Sequence, residues 1–155
     1  MTFHQQPNLF QIEITMPNYI KLERDELIQS VKDLLGEKVK EENQIDGSLL
    51  LIGGDPSEVI VRVSGNKISI SEFRVRWDGP HTPTIHPRLV TSINWKSLPT
   101  FEIICLIGMA IDSTRKHRLE NFTTCMKCGK TKPPEWMHGD GICQSCAERH
   151  LGVVY

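Results

Sequence analysis

The sequence predicts an α+β protein: a small antiparallel sheet of about four strands with two helices on one face, followed by a metal-held C-terminal unit. Three observations predict it. Apolar residues alternate with polar ones in short runs between Phe10 and Trp77, the period of half-buried strands. Two segments, beginning near Arg24 and Ser97, carry apolar residues at helical spacing instead. Four of the five cysteines fall in the last 31 residues as two Cys-x-x-Cys pairs. The 155 residues suffice for one ordinary domain with a buried core, and the charged fraction of 24% is that of a globular chain. The longest apolar stretch, Ile103 to Ile111, is 9 residues, well short of the about 20 that span a bilayer. The opening segment has neither a basic start nor an apolar run, so a secretory leader is not expected and a cytoplasmic location is.

Residues 1–7 read as a flexible tail. Phe10, Ile12, Ile14 and Met16 alternate as a strand that Pro17 ends. From Arg24 to Lys38, Leu27, Val31, Leu34 and Leu35 line one stripe of an amphipathic helix, with Asp25 and Glu26 in the first turn where the dipole favours them. Residues 37–47 are charged and read as an exposed loop or a frayed helix end. Ser48 to Ile52 is a strand closed by Gly53-Gly54-Asp55-Pro56. A hairpin follows, with arms Glu58–Ser64 and Lys67–Trp77 about a Gly65-Asn66 turn. A one-residue bulge near Ser71-Glu72 would bring Ile68, Ile70, Phe73, Val75 and Trp77 to one face. Residues 78–90 hold Pro80, Pro83 and Pro87 and read as irregular loop. Ser97 is the expected cap of a long helix running to about Glu120. Its first half, Phe101 to Ile111, is apolar nearly all round, which suits burial in a core or at a dimer interface, and Cys105 within it reads as a buried small hydrophobe. The predicted organisation is an α+β domain over 8–112, a helical connection over 113–121, and a metal-held finger with its tail over 122–155.

Cys125, Cys128, Cys143 and Cys146 make the strongest chemical statement. A tetrahedral zinc ion takes four thiolates at about 2.3 Å, and two Cys-x-x-Cys turns separated by 14 residues supply them. A disulfide framework would need an oxidising compartment, and a redox pair would not come twice. About thirty residues cannot build a sufficient core alone, so one structural Zn2+ would supply much of the folding free energy, on the order of 10–16 kcal/mol in comparable peptides. Four thiolates leave no open position to activate water, which argues against metalloenzyme chemistry. Gly129 follows the first pair as a knuckle turn requires, Gly139-Asp140-Gly141 turns the chain before the second, and Cys143 to Leu151 has helical composition. That order resembles the treble-clef class of zinc fingers over Phe122 to Gly152. The resemblance implies a metal and a topology; its members bind proteins, bind nucleic acids or cut them.

The enzyme readings are thin. His138 beside Asp140 invites comparison with treble-clef nucleases, but 14 residues leave little room for a base and a second metal ligand. His150 could replace a cysteine, yet none is missing. His81, His86 and Asp78 have no acid/base partner at a definable spacing, Gly53-Gly54-Asp55 lacks the lysine of a phosphate loop, and no nucleophile elbow occurs. A non-enzymatic adaptor or regulatory protein is expected, most readily with a protein partner anchored by Trp136 and Met137. Nucleic acid is the alternative. Residues 61–155 carry 13 basic and 8 acidic residues against 5 and 11 in residues 1–60, and Arg115, Lys116, Arg118, Lys127, Lys130 and Lys132 form the densest basic stretch.

Overall fold

A computed structural model describes residues 21–139 and 141–155. The expected tail and the first expected strand, residues 9–16, lie outside the described residues. Helix α1 spans Arg24–Leu35. Glu26 closes its first turn by accepting the Glu23 N–H at 3.1 Å, and the helix ends at Gly36, within the Arg24–Lys38 stretch. Leu27, Val31 and Leu35 form its buried stripe, as the spacing predicts.

Seven strands follow: β1 Val39–Asn43, β2 Leu49–Gly53, β3 Val59–Ser64, β4 Lys67–Glu72, β5 Val75–Trp77, β6 Pro83–Ile85 and β7 Arg88–Asn94. Five of them make one antiparallel sheet in the order β1-β2-β3-β4-β7. The expected β3–β4 hairpin forms in unbroken register from Val59 opposite Glu72 to Ser64 opposite Lys67. Three expectations need correction. Residues 37–47 are not all loop: the polar run Val39–Asn43 pairs with β2 as an edge strand, where a charged outer surface is tolerated and blunts further pairing. The second hairpin arm does not run on through a bulge to Trp77. It leaves the sheet after Glu72, and β5 pairs with β6 in a separate ribbon. The register shift lies instead in the β4–β7 pairing, between Ile70 and Ser71. The proline-rich segment 78–90 is also partly regular, because Pro83 opens β6, a position compatible with its missing N–H.

Helix α2 spans Thr100–Glu120, with Pro99 rather than Ser97 as its cap. The Ser97 hydroxyl instead donates to the Asn94 carbonyl at 2.7 Å, closing the turn after β7. Only one stripe of α2 is buried: Ile103, Ile107, Ile111, Thr114 and Arg118. Phe101, Met109 and Cys105 are exposed, so the first half is not buried all round and Cys105 is not a core residue. The core lies between α1, α2 and one face of the sheet, filled by Leu51, Val59, Val61, Val63, Ile68 and Ile70 with the helix stripes. No helix among the described residues is long and apolar enough to cross a membrane.

The second half of α2 fastens the structure through ions. Arg115 donates to the Glu58 carboxylate at 2.6 Å and to the Leu35 carbonyl at 2.7 Å, tying α2 to the C-terminal end of α1. Arg118 is 2% exposed. It donates through two nitrogens to the Glu135 carboxylate at 2.5 and 3.1 Å, and its guanidinium lies 5.7 Å from the Phe73 ring and 5.1 Å from the Phe122 ring. One buried arginine therefore joins the helix, the end of the sheet and the C-terminal segment. Removing one partner of such a pair strands the other charge in the interior, at a cost of roughly 3–5 kcal/mol. Urea unfolding of Arg118→Ala is expected to show a loss of that order, and Arg118→Met combined with Glu135→Leu to recover most of it. A double variant as unstable as the single one would contradict this reading.

Glu72, equally buried, accepts hydrogen bonds from Arg74 and Arg88 at 2.9 Å and from His117 Nδ1 at 2.7 Å. Burial pushes its carboxyl up, but the bonds from Arg74, His117 and Arg88 outweigh burial and hold it below the ordinary value of 4.5. A carboxyl lowered in the folded state contributes stability above its unfolded pKa, and that contribution is lost as pH falls through the folded value. Stability measured by urea midpoint should decline as the solution is acidified below about 4.5. The Glu72→Gln variant should be less stable at neutral pH and show a shallower decline.

Candidate metal centre

The C-terminal segment builds its site from short elements. Strands β8 Thr123–Thr124 and β9 Thr131–Lys132 form a two-rung ribbon, and the turn between them carries Cys125 and Cys128. The Gly129 N–H donates to the Cys125 carbonyl and the Cys125 N–H to the Lys130 carbonyl, both at 2.9 Å. Gly129 has φ 70°, a left-handed conformation that a side chain would strain. A 3₁₀ turn, Pro134–Trp136, leads to a second ribbon of β10 Met137–His138 and β11 Ile142–Cys143. Cys143 then caps helix α3, Gln144–Leu151, and Cys146 lies in that helix's first turn. The two halves are stitched by the Met126 N–H donating to the Gly141 carbonyl at 2.8 Å. The approach is close: a Cβ at Gly141 would stand 2.4 Å from the Met126 methyl carbon.

These elements bring the four expected sulfurs together. All lie within 4.8 Å of one another, with Cys128 Sγ 3.9 Å from Cys143 Sγ. A tetrahedron with metal–sulfur bonds of about 2.3 Å has edges of about 3.8 Å, and a disulfide would place sulfurs at about 2.0 Å. The cysteines are free thiols at the spacing of a four-sulfur metal site. Cys125, Cys143 and Cys146 are buried and Cys128 is exposed. Backbone N–H groups of Lys127 and Cys143 point at Cys125 Sγ from 3.4 and 3.3 Å. Hydrogen bonds from the backbone of Cys128, then Cys143, lower the Cys125 thiol to about 6. Cys146 is pushed up to about 12 by burial and by the neighbouring thiols. One sulfur is thus ready as a thiolate at neutral pH, whereas another needs a cation before it gives up its proton.

The remaining expected site residues fare differently. Lys116, Lys127 and Lys130 are exposed. Lys132 is half-buried, its ammonium 5.4 Å from the centre of the Trp136 ring. Trp136 is 50% exposed, while Met137 is half-buried against the cysteine cluster. Arg118 and Arg115 belong to the basic stretch by sequence but not to an exposed basic surface. Both are spent on internal carboxylates, because the second half of α2 lies against the sheet end and the C-terminal segment instead of leaving the body. His138 is engaged by the Tyr155 hydroxyl. His86 Nε2 stands 3.8 Å from Asp78, and the only grouping of metal-ligating side chains among the described residues is the four cysteines. The ion cluster on Glu72 went unread. Its one legible signal is that Glu72 stands in phase with Ile68 and Ile70, which places a carboxylate on the core face.

Fold and site together define an α+β protein with a four-cysteine metal-binding cluster. Compared with known proteins, the chain matches no family model, no curated protein and no solved structure.

Metal uptake should release protons, Cys146 being the thiol that holds its proton most firmly. Zinc titrated into metal-free protein by calorimetry, in buffers of differing ionisation heat, is expected to show net proton release at neutral pH and tighter binding as pH rises. Binding with no buffer dependence would contradict a site closed by four thiolates.

Proposed function

We propose that this chain is a non-enzymatic, zinc-stabilised adaptor whose treble-clef finger docks a protein partner through Trp136. The zinc assignment rests on the donor set: four sulfurs with no oxygen or nitrogen ligand favour a soft, tetrahedral ion in a reducing compartment such as the cytoplasm. The treble-clef reading rests on element order, with a knuckle ribbon, a second ribbon, and a helix whose first turn holds the last ligand. Full coordination by protein leaves the ion no position for substrate or water, which supports a structural role.

The observation that carries the binding role is how Trp136 is held. The Glu135 carbonyl beside it accepts from Trp77 Nε1 at 3.1 Å and from Gln144 Nε2 at 3.0 Å. The Glu135 carboxylate is gripped by Arg118. Trp136 therefore projects, half exposed, from a backbone pinned on both sides, and a rigid aromatic loses little freedom on docking. Met126 and Leu151 add exposed apolar surface to the same finger.

A nucleic-acid reading has one specific support. Lys132 lies over Trp136, and Lys127 and Lys130 have no ion-pair partner among the described residues, so a stacking surface stands beside free cations. The two readings separate cleanly. Affinity capture with the parent and with Trp136→Ala should show a partner lost from the variant, with binding weakened by roughly 2 kcal/mol or more and the fold unchanged. An identical set of captured proteins would remove Trp136 as the anchor. A salt-sensitive mobility shift with oligonucleotides, abolished when Lys127, Lys130 and Lys132 become Glu, would favour the second reading.

A further inference from the structure

Helix α2 is packed on one side only. Ile103, Ile107 and Ile111 turn into the core. The outer side carries Phe101, Leu106 and Met109 at 79, 41 and 69% exposure, with Cys105 exposed among them. Phe101, Cys105 and Met109 recur every four residues and so make one ridge along the helix. Apolar side chains aligned in this way mark an interaction surface, whereas scattered ones do not. Charges continue the same face. Glu102, Met109 and Lys116 are spaced by seven residues, about two helical turns. Glu102 and Lys116 are exposed, and neither has an ion-pair partner among the described residues.

The positions of those charges select what covers the face. Glu102 and Lys116 stand equally far from Met109, about 10 Å along the axis on either side. A second α2 laid antiparallel, with a two-fold axis at Met109, sets each Glu102 against the partner's Lys116. A parallel pair would instead oppose Glu102 to Glu102 and Lys116 to Lys116, which like-charge repulsion disfavours. The antiparallel register also carries Phe101 to the last turns of the second copy's α2. A shallow hollow of about 530 Å³ lies there, lined by Asp112, Arg115, Lys116, Leu119 and Glu120. Positions 101, 112 and 119 fall within about 20° of one another around the helix, and the two-fold axis keeps them on one side of the pair. The Phe101 ring would rest on Leu119 and the Lys116 stem, beside the ammonium.

We propose that the outer face of α2 is the interface of a homodimer, in which two copies of this chain pair antiparallel about Met109. Each Phe101 fills the hollow at the C-terminal end of the other copy's α2. Burial of Phe101, Leu106 and Met109 drives association. The two Glu102–Lys116 pairs fix the register and direction more than they add affinity. Cys105 lies four residues from the axis, so its two copies sit about 12 Å apart along the helix, beyond the Cα separation of about 7 Å that a disulfide can bridge. The interface uses neither the metal ligands nor Trp136, so it is independent of the adaptor role.

The test is sedimentation velocity of the metal-loaded full chain over a concentration series. A concentration-dependent dimer is expected. Phe101→Glu and Met109→Glu, both at exposed positions, should each leave a monomer with an unchanged circular dichroism spectrum. Glu102→Lys and Lys116→Glu should each weaken the dimer roughly tenfold or more. The two combined should restore it, a rescue that a folding defect could not give. Under a mild oxidant, Met109→Cys should cross-link across the axis, and Cys105 of the parent chain should not. A chain that stays monomeric at every concentration would overturn the proposal. So would a dimer that survives both glutamate substitutions, a charge exchange that restores nothing, or a disulfide through Cys105.

Discussion

Four sulfurs converging within 4.8 Å constrain everything in the last thirty residues. Those residues contain two ribbons of two rungs each and a helix of eight residues, and the apolar cluster they form is the cysteines themselves with Met137 and Ile142. No hydrophobic core of that size offsets the entropy of ordering thirty residues. The four separate thiols are positioned to bind a metal ion, whose binding would supply the missing ordering free energy. The left-handed turn at Gly129, the close approach at Gly141 and the place of Cys143 at the head of helix α3 all serve to aim four side chains at one point.

The four-cysteine segment also has to be held to the body, and Arg118 does this. The same guanidinium is shielded by Phe73 from the sheet end and by Phe122 from the finger's first strand, and it grips Glu135 beside Trp136. Two buried carboxylates, Glu72 and Glu135, thus meet neighbouring residues of α2, His117 and Arg118. The end of this helix is an electrostatic junction where a charged partner missing on any side leaves an expensive vacancy. The body and the four-cysteine segment are thereby joined at the backbone that carries Trp136.

What was legible in the sequence follows the range of the interactions concerned. The stripe Leu27, Val31, Leu35 reports helix α1, and the alternation about Gly65-Asn66 reports the β3–β4 hairpin, because both patterns arise within a few residues. Cysteine spacing reports the metal centre for the same reason. Strand β1 was hidden because an edge position lets its four charged and polar residues face solvent, erasing alternation. Strands β6 and β7 were hidden by prolines that occupy strand ends and linkers instead of interrupting the ladder. The ion clusters could not be read at all. Arg118 finds Glu135 across 17 positions and Ser57 across 61, and His117 finds Glu72 across 45, so the basic stretch looked like exposed surface when two of its arginines are internal fasteners.

The C-terminal segment depends on what occupies the thiol cluster of protein purified without added metal or chelator. Native mass spectrometry combined with elemental analysis and thiol counting reads it directly. One zinc per chain, with all four terminal thiols shielded from alkylation until the ion is stripped, is the expected result. Chains carrying no stoichiometric metal, or carrying Cys125, Cys128, Cys143 and Cys146 oxidised to one another, would contradict it.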